Sequence, residues 1–277
     1  MSSSDRKSHA DASTFLDLFV RRWGSGPPVL MLHGLGASSR YWDALAALNP
    51  QFRATVPDLL GFGRSPKPDD ATYDIDCHVA SIAPLVAPGS VLVGHSTGAL
   101  IAAAVAARHP DLVQALVLIG MPAYDSAEEA SRAIARLGWL PRTTAENRRS
   151  ARWICTAMCR LRPLAATLAP LVVRDLPASV ARDGVMHTWP SYSCTLRNVV
   201  LGYRPLPDLI AAQRPITMLY GNRDPETSTE EIGRLRASLE RSRARAEIHI
   251  VDGDHHLPIR NPTIIMQAIT RAVSETT

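Results

Sequence analysis

The chain has 277 residues, of which 46% are apolar and 20% charged, enough for one large core with an insertion and too apolar for a disordered chain. Thirty Lys and Arg against 26 Asp and Glu give a formal net charge of +4, but with no recognition motif this mild basicity does not argue for nucleic-acid binding. Four cysteines, Cys77, Cys155, Cys159 and Cys194, are too sparse for a disulfide scaffold and lack the Cys/His cluster of a closed zinc site.

Residues 1–13 are polar, without the apolar stretch of a secretory signal, and no apolar run is long enough to span a bilayer. The expectation is a cytoplasmic protein without a membrane span. Residues 15–23 read as one or two short strands, with Gly24-Ser25-Gly26-Pro27 as the following turn. Val29-Leu30-Met31-Leu32 is continuously apolar, the pattern of a parallel strand buried on both faces. A further strand ends at Val56-Pro57, another is Val91-Leu92-Val93, and 115–119, 217–220 and 246–251 repeat the pattern. Between them, 41–48, 75–86, 100–108, 229–239 and 262–273 read as helices, the last opened by Pro262, whose missing N–H costs nothing in a first turn. Strands alternating with helices predict an α/β fold with a mostly parallel central sheet covered on both faces.

The middle of the chain breaks this rhythm. Residues 127–137, 150–161 and 163–171 can form helices, and prolines at Trp139-Leu140-Pro141, Leu176-Pro177 and Thr188-Trp189-Pro190 divide the segment into pieces. The expected organisation is a core in two parts, 14–120 and 208–277, with a mainly helical cap at 121–207. Arginines 132, 136, 142, 148, 149, 152, 160 and 162 concentrate charge in this insertion. They read as a solvated face, with recruitment of an acidic or carrier-bound substrate as the alternative.

Gly94-His95-Ser96-Thr97-Gly98 stands between a strand and a helix, the setting of a nucleophile elbow. The flanking glycines let strand and helix approach, and Ser96 is the candidate nucleophile. A serine hydroxyl needs a base to take its proton. Gly253-Asp254-His255-His256 offers two histidines after a late strand, of which one would reach Ser96. Asp224, after another strand, can orient that histidine, and the order Ser, Asp, His suits a triad assembled at strand ends. Backbone N–H groups of Thr97 and of Leu35, in His33-Gly34-Leu35-Gly36, are the candidate oxyanion donors. His33 itself is read as holding this loop.

These ordered motifs, together with Asp58-Leu59-Leu60-Gly61-Phe62-Gly63-Arg64-Ser65, resemble the α/β-hydrolase superfamily, in particular its capped serine hydrolases similar to small esterases and carbon–carbon bond hydrolases. The resemblance implies Ser96 as nucleophile, Asp224 as acid and His255 as base, with His256 as the alternative base and the 58–65 segment as a structural turn. It implies no metal or organic cofactor, and a serine nucleophile argues against dehalogenase and epoxide hydrolase chemistry, which use a carboxylate. The expected reaction is hydrolysis of a carboxylic ester or lactone of small to medium size. Carbon–carbon bond hydrolysis, thioester hydrolysis, acyl transfer in a biosynthetic pathway, and non-catalytic ligand binding on the same scaffold are the alternatives. Oligomeric state is not legible.

Overall fold

The structure, a computed structural model, describes residues 17–136, 146 and 149–275. The polar beginning, the break at 139–141, and Trp139, Arg142 and Arg148 lie outside the described residues. Seven strands run β1 (Val20–Trp23), β2 (Pro28–Leu32), β3 (Arg53–Pro57), β4 (Ser90–His95), β5 (Val113–Ile119), β6 (Ile216–Gly221) and β7 (Ala246–Val251). They form one sheet in the order β1-β3-β2-β4-β5-β6-β7, in which only the β1–β3 pair is antiparallel.

The continuous apolar runs fall where burial on both faces is complete. Every residue of β4, at the centre of the sheet, is buried. One face packs on the helices Ile75–Ile82, Thr97–Arg108, Leu206–Ala212 and Thr229–Arg241, through Leu92, Leu100, Leu116, Leu209 and Leu235. The other packs on Pro262–Ser274 and on the 41–45 turn, through Trp42, Leu45, Val93, Val117 and Ile265. β7 is an edge strand, so its Glu247, His249 and Ile250 are exposed and it alternates, unlike the buried runs it was grouped with.

Several predicted helices are shorter or split. The 75–86 segment is α-helical only over Ile75–Ile82 and continues as a 3-10 turn over Ala83–Leu85, because Pro84 cannot donate a helical hydrogen bond. The 41–48 segment is a 3-10 turn, Ser39–Trp42, followed by a single α turn, Asp43–Ala46.

Between β5 and β6 the described residues contain helices but no strand: Ala127–Arg136, Arg149–Arg160, Arg162–Val172, Ala178–Asp183, Trp189–Thr195 and a π-helical turn Leu196–Leu201. Two of the proline pairs read as breaks are in fact helix starts. Pro177 is the N-cap of Ala178–Asp183, and Pro190 sits in the first turn of Trp189–Thr195 behind a Thr188–Ser191 capping box. Leu206–Ala212 spans the expected boundary at 207–208 and packs against Thr97–Arg108. Among the described residues, no helix is long and apolar enough to cross a membrane.

Candidate active site

Parallel strands all present their C-terminal ends on one side of the sheet, and ligands of such sheets bind there. Ser96 follows β4, Leu35 follows β2, Asp224 follows β6 and His255 follows β7. Four segments distant in sequence therefore meet above the same edge.

Ser96 holds φ 52° and ψ −119°, a strained conformation that lifts its side chain off the sheet. The turn closes only because of its glycines. A Cβ on Gly94 would stand 2.4 Å from the Gly98 carbonyl oxygen, and one on Gly98 would stand 2.3 Å from that of Leu32. The Ser96 N–H donates to the Ile119 carbonyl at 2.9 Å, fixing the elbow to β5. Thr97 heads the helix Thr97–Arg108, where first-turn N–H groups have no intrahelical acceptor. Thr97, Leu35 and Ser96 line one cavity of about 310 Å³ together with His255 and His256.

His255 is the histidine joined to Asp224: its Nδ1 lies 2.8 Å from Asp224 Oδ2. Asp224 is fixed in turn, since its Oδ1 accepts the Glu226 N–H at 2.8 Å and its own N–H reaches the Gly221 carbonyl at 3.2 Å. His256 points elsewhere, with Nδ1 3.0 Å from the Tyr41 hydroxyl. The Tyr41 ring stacks on His95 at a centroid separation of 4.6 Å, and His95 Nε2 donates to the His255 carbonyl at 2.8 Å. Burial, then the neighbouring His255 and His256, hold His95 well below the usual imidazole range, so it stays neutral and can serve as this fixed donor.

His33 is fully buried, its Nδ1 2.8 Å from the Gly34 carbonyl and its Nε2 accepting the Leu59 N–H at 2.9 Å. Both ring nitrogens are thus spent on backbone, which suits a loop-holding role. Asp58 is equally engaged: its carboxylate accepts from Ser39 N at 2.6 Å and Arg64 N at 2.7 Å, while Ser65 Oγ donates to its carbonyl.

Sequence reasoning passed over Glu226. Its Oε2 lies 3.3 Å from His255 Nε2, the nitrogen a nucleophilic serine would use. Among the described residues, Ser96 Oγ makes no hydrogen bond, so serine and imidazole share the cavity without being hydrogen-bonded to each other. Burial pulls the His255 imidazole down, but Glu226, then Asp224, outweigh it and raise the ring to about 9. The one signal was the spacing: a carboxylate two residues beyond Asp224 is turned back by the bond from its own N–H to Asp224 Oδ1.

The rest of the cavity is apolar and comes largely from the segment between β5 and β6, including Ile134, Val173, Leu176, Val180, Leu196 and Val200. Ser38 Oγ donates to Asp183 Oδ2 at 2.7 Å, tying that segment to the loop after β2. None of the described arginines lines the cavity; Arg149, Arg152 and Arg160 are exposed on their helix. The four cysteines are free, and among the described residues no group of three or more His, Cys, Asp or Glu side chains is arranged to hold a metal.

A sequence model of the family described as alpha/beta hydrolase fold matches residues 27–262. Among curated proteins, a probable lysophospholipase, BODYGUARD 4 of Arabidopsis thaliana, is 28% identical over 82% of this chain and 59% of its own length. Lipase LipV of Mycobacterium tuberculosis is 44% identical over 38% of this chain and 41% of its own. The chain spans about half the length of these curated relatives. Among solved structures, E-2-(acetamidomethylene)succinate hydrolase superposes with a TM-score of 0.70 at 23% identity, covering 92% of this chain and 94% of that one.

Proposed function

The chain belongs to the alpha/beta hydrolase family, and from that premise we propose that it is a serine hydrolase that cleaves a carboxylic ester or lactone through an acyl-enzyme intermediate. The observation that carries this reading is the convergence of a strained Ser96 and an Asp224-bound His255 on one cavity. In the proposed cycle Ser96 Oγ attacks the acyl carbon as His255 Nε2 takes its proton. The Thr97 and Leu35 N–H groups receive the negative charge that develops on the acyl oxygen. Collapse of the tetrahedral adduct breaks the bond to the alcohol, which leaves with the proton returned by His255. Water then repeats the sequence on the acyl-enzyme and releases the acid. Asp224 keeps the imidazole in the orientation and tautomer that both half-reactions need.

The cavity also bears on the substrate. A volume of about 310 Å³ is at the low end for small-molecule sites and favours a small to medium acyl group. Among the described residues its lining contains no Lys or Arg and one carboxylate, Glu226, which favours an uncharged acyl group over an acidic one. We take the 121–207 segment to act as a cap, since its described residues supply most of the apolar wall. Carbon–carbon bond hydrolysis, thioester hydrolysis and acyl transfer would use the same nucleophile, but no feature of this cavity favours them. A binding protein without turnover would have no need of the strained serine.

The test is a fluorophosphonate probe and a series of p-nitrophenyl esters. The wild-type chain is expected to be labelled and to cleave the short esters, while Ser96→Ala does neither. Ester cleavage by Ser96→Ala at the wild-type rate would refute the mechanism.

A further inference from the structure

The triad reading leaves a partly buried carboxylate of the cavity without a task. Glu226 is held by its backbone on both sides: its N–H donates to Asp224 Oδ1 at 2.8 Å and its carbonyl accepts the Tyr124 hydroxyl at 3.1 Å. Its side chain, 22% exposed, reaches into the cavity and ends 3.3 Å from His255 Nε2. We propose that Glu226 is a positioning residue for the base, holding His255 Nε2 at rest and releasing it to Ser96 as an acyl group fills the cavity. The inference rests on the serine hydrolase reading for its catalytic meaning, not for the Glu226–His255 contact itself.

A base flanked by one carboxylate needs one ring proton, on Nδ1, and leaves Nε2 open. Here a carboxylate faces each ring nitrogen, Asp224 at 2.8 Å and Glu226 at 3.3 Å. Both contacts are hydrogen bonds only if the His255–Glu226 pair carries one further proton. That proton must pass from the ring to the Glu226 carboxylate, and the carboxyl must turn away, before Nε2 can accept the one on Ser96. Ligand entry helps, because an apolar acyl group in this cavity displaces the water that screens Glu226 and disfavours a charged carboxylate beside it.

The other groups around the ring do not cancel this effect. From the end of β4, neutral His95 stands at a centroid distance of 4.7 Å, and from the loop after β7, His256 stands at 5.8 Å. Asp254, in the same loop, adds negative charge but is engaged by Arg260 at 2.5 Å. Tyr41, from the 39–42 turn, is spent on His95 and His256. Burial raises the Glu226 carboxyl, while His255 draws it down and Asp224 raises it again. This is the behaviour of a group that gives up its charge readily once its partner is lost.

The test is Glu226→Gln, which keeps the shape and the backbone N–H but removes the charge, with Glu226→Asp withdrawing the charge by one methylene. In protein labelled with nitrogen-15 histidine, His255 is assigned by its loss in His255→Gln and titrated by NMR. Its midpoint should fall by about one pH unit or more in Glu226→Gln and lie between the two in Glu226→Asp. The acid limb of kcat/KM for a p-nitrophenyl ester should move down with it, raising the rate at pH 7 by about tenfold per unit. A residue that merely supported the fold would lower the rate and leave the midpoint in place. An unchanged His255 midpoint in Glu226→Gln overturns the proposal. A midpoint that falls in a protein that cleaves no ester overturns the hydrolase reading and leaves the positioning contact standing.

Discussion

Asp224→Asn separates the task of the carboxylate from its place in the fold. Asp224 accepts two hydrogen bonds, the Glu226 N–H on Oδ1 and His255 Nδ1–H on Oδ2, each at 2.8 Å. Asparagine can keep the first with its carbonyl oxygen, which leaves its NH₂ group facing Nδ1. An amide donor there forces Nδ1 to accept, so the ring proton moves to Nε2 and the base can no longer take a proton from Ser96. Loss of the correct tautomer in triads of this kind costs about ten-thousand-fold in kcat, or about 5 kcal/mol of transition-state stabilisation. The cost to folding is smaller, about 1 to 3 kcal/mol for one charged hydrogen bond weakened in a buried site. The assay pairs kcat and kcat/KM for a p-nitrophenyl ester with urea unfolding of the same sample. Folded Asp224→Asn with kcat within tenfold of wild type would show that His255 is not oriented by Asp224, and the triad assignment would fall.

Asp58→Ala removes the acceptor of two backbone N–H groups, those of Ser39 and Arg64, at a residue that is 1% exposed. Stability to urea should fall by about 3 kcal/mol, and a loss below about 0.5 kcal/mol would show that the 58–65 turn is not held by this side chain. The folded His255 pKa, about 9, lies above the ordinary value of 6.5. A raised imidazole contributes stability that is complete below pH 6.5 and is lost as pH rises through about 9. The guanidinium midpoint of the wild type should therefore fall between those limits by more than that of His255→Gln; equal slopes would contradict the charged resting state of the ring.

The parallel core was legible because Val29-Leu30-Met31-Leu32 and Val91-Leu92-Val93 are uninterrupted apolar runs, a pattern that burial on both faces demands. The helical segment between β5 and β6 was legible as helical but not in its divisions. A proline ends one helix and opens the next with equal ease, and Pro177 and Pro190 do the second. The π-helical turn Leu196–Leu201 has no sequence signature at all, since its register is set by the side chains it packs on. At the site, Ser96 was marked by its glycines, whereas the choice between His255 and His256 depends on which way two adjacent side chains leave a loop. That direction is fixed from outside the loop, by Tyr41 taking His256 and Asp224 taking His255.

The same reasoning explains why Glu226 escaped notice and why we assign it the adjustable role in the site. The backbone around it is tied at every side. Ser96 N–H is bonded to Ile119, His95 to the His255 carbonyl, and the N–H groups of Asn222 and Arg223 to Val251 and Gly253, all between 2.8 and 2.9 Å. These bonds cross from the end of β4 to β5, from β4 to the loop after β7, and from the loop after β6 to the end of β7 and the loop beyond it, so Ser96 and His255 cannot approach by moving whole strands without breaking several of them. What can change at low cost is a side-chain torsion. In the proposed exchange, rotation of the Ser96 hydroxyl and of the Glu226 carboxylate changes the partner of His255 Nε2 and leaves the Asp224 contact intact. A site working as proposed would keep its orientation in the backbone and its switch in a rotamer, and motif spacing carries the first whereas the Glu226–His255 contact behind the second is visible only in the folded geometry.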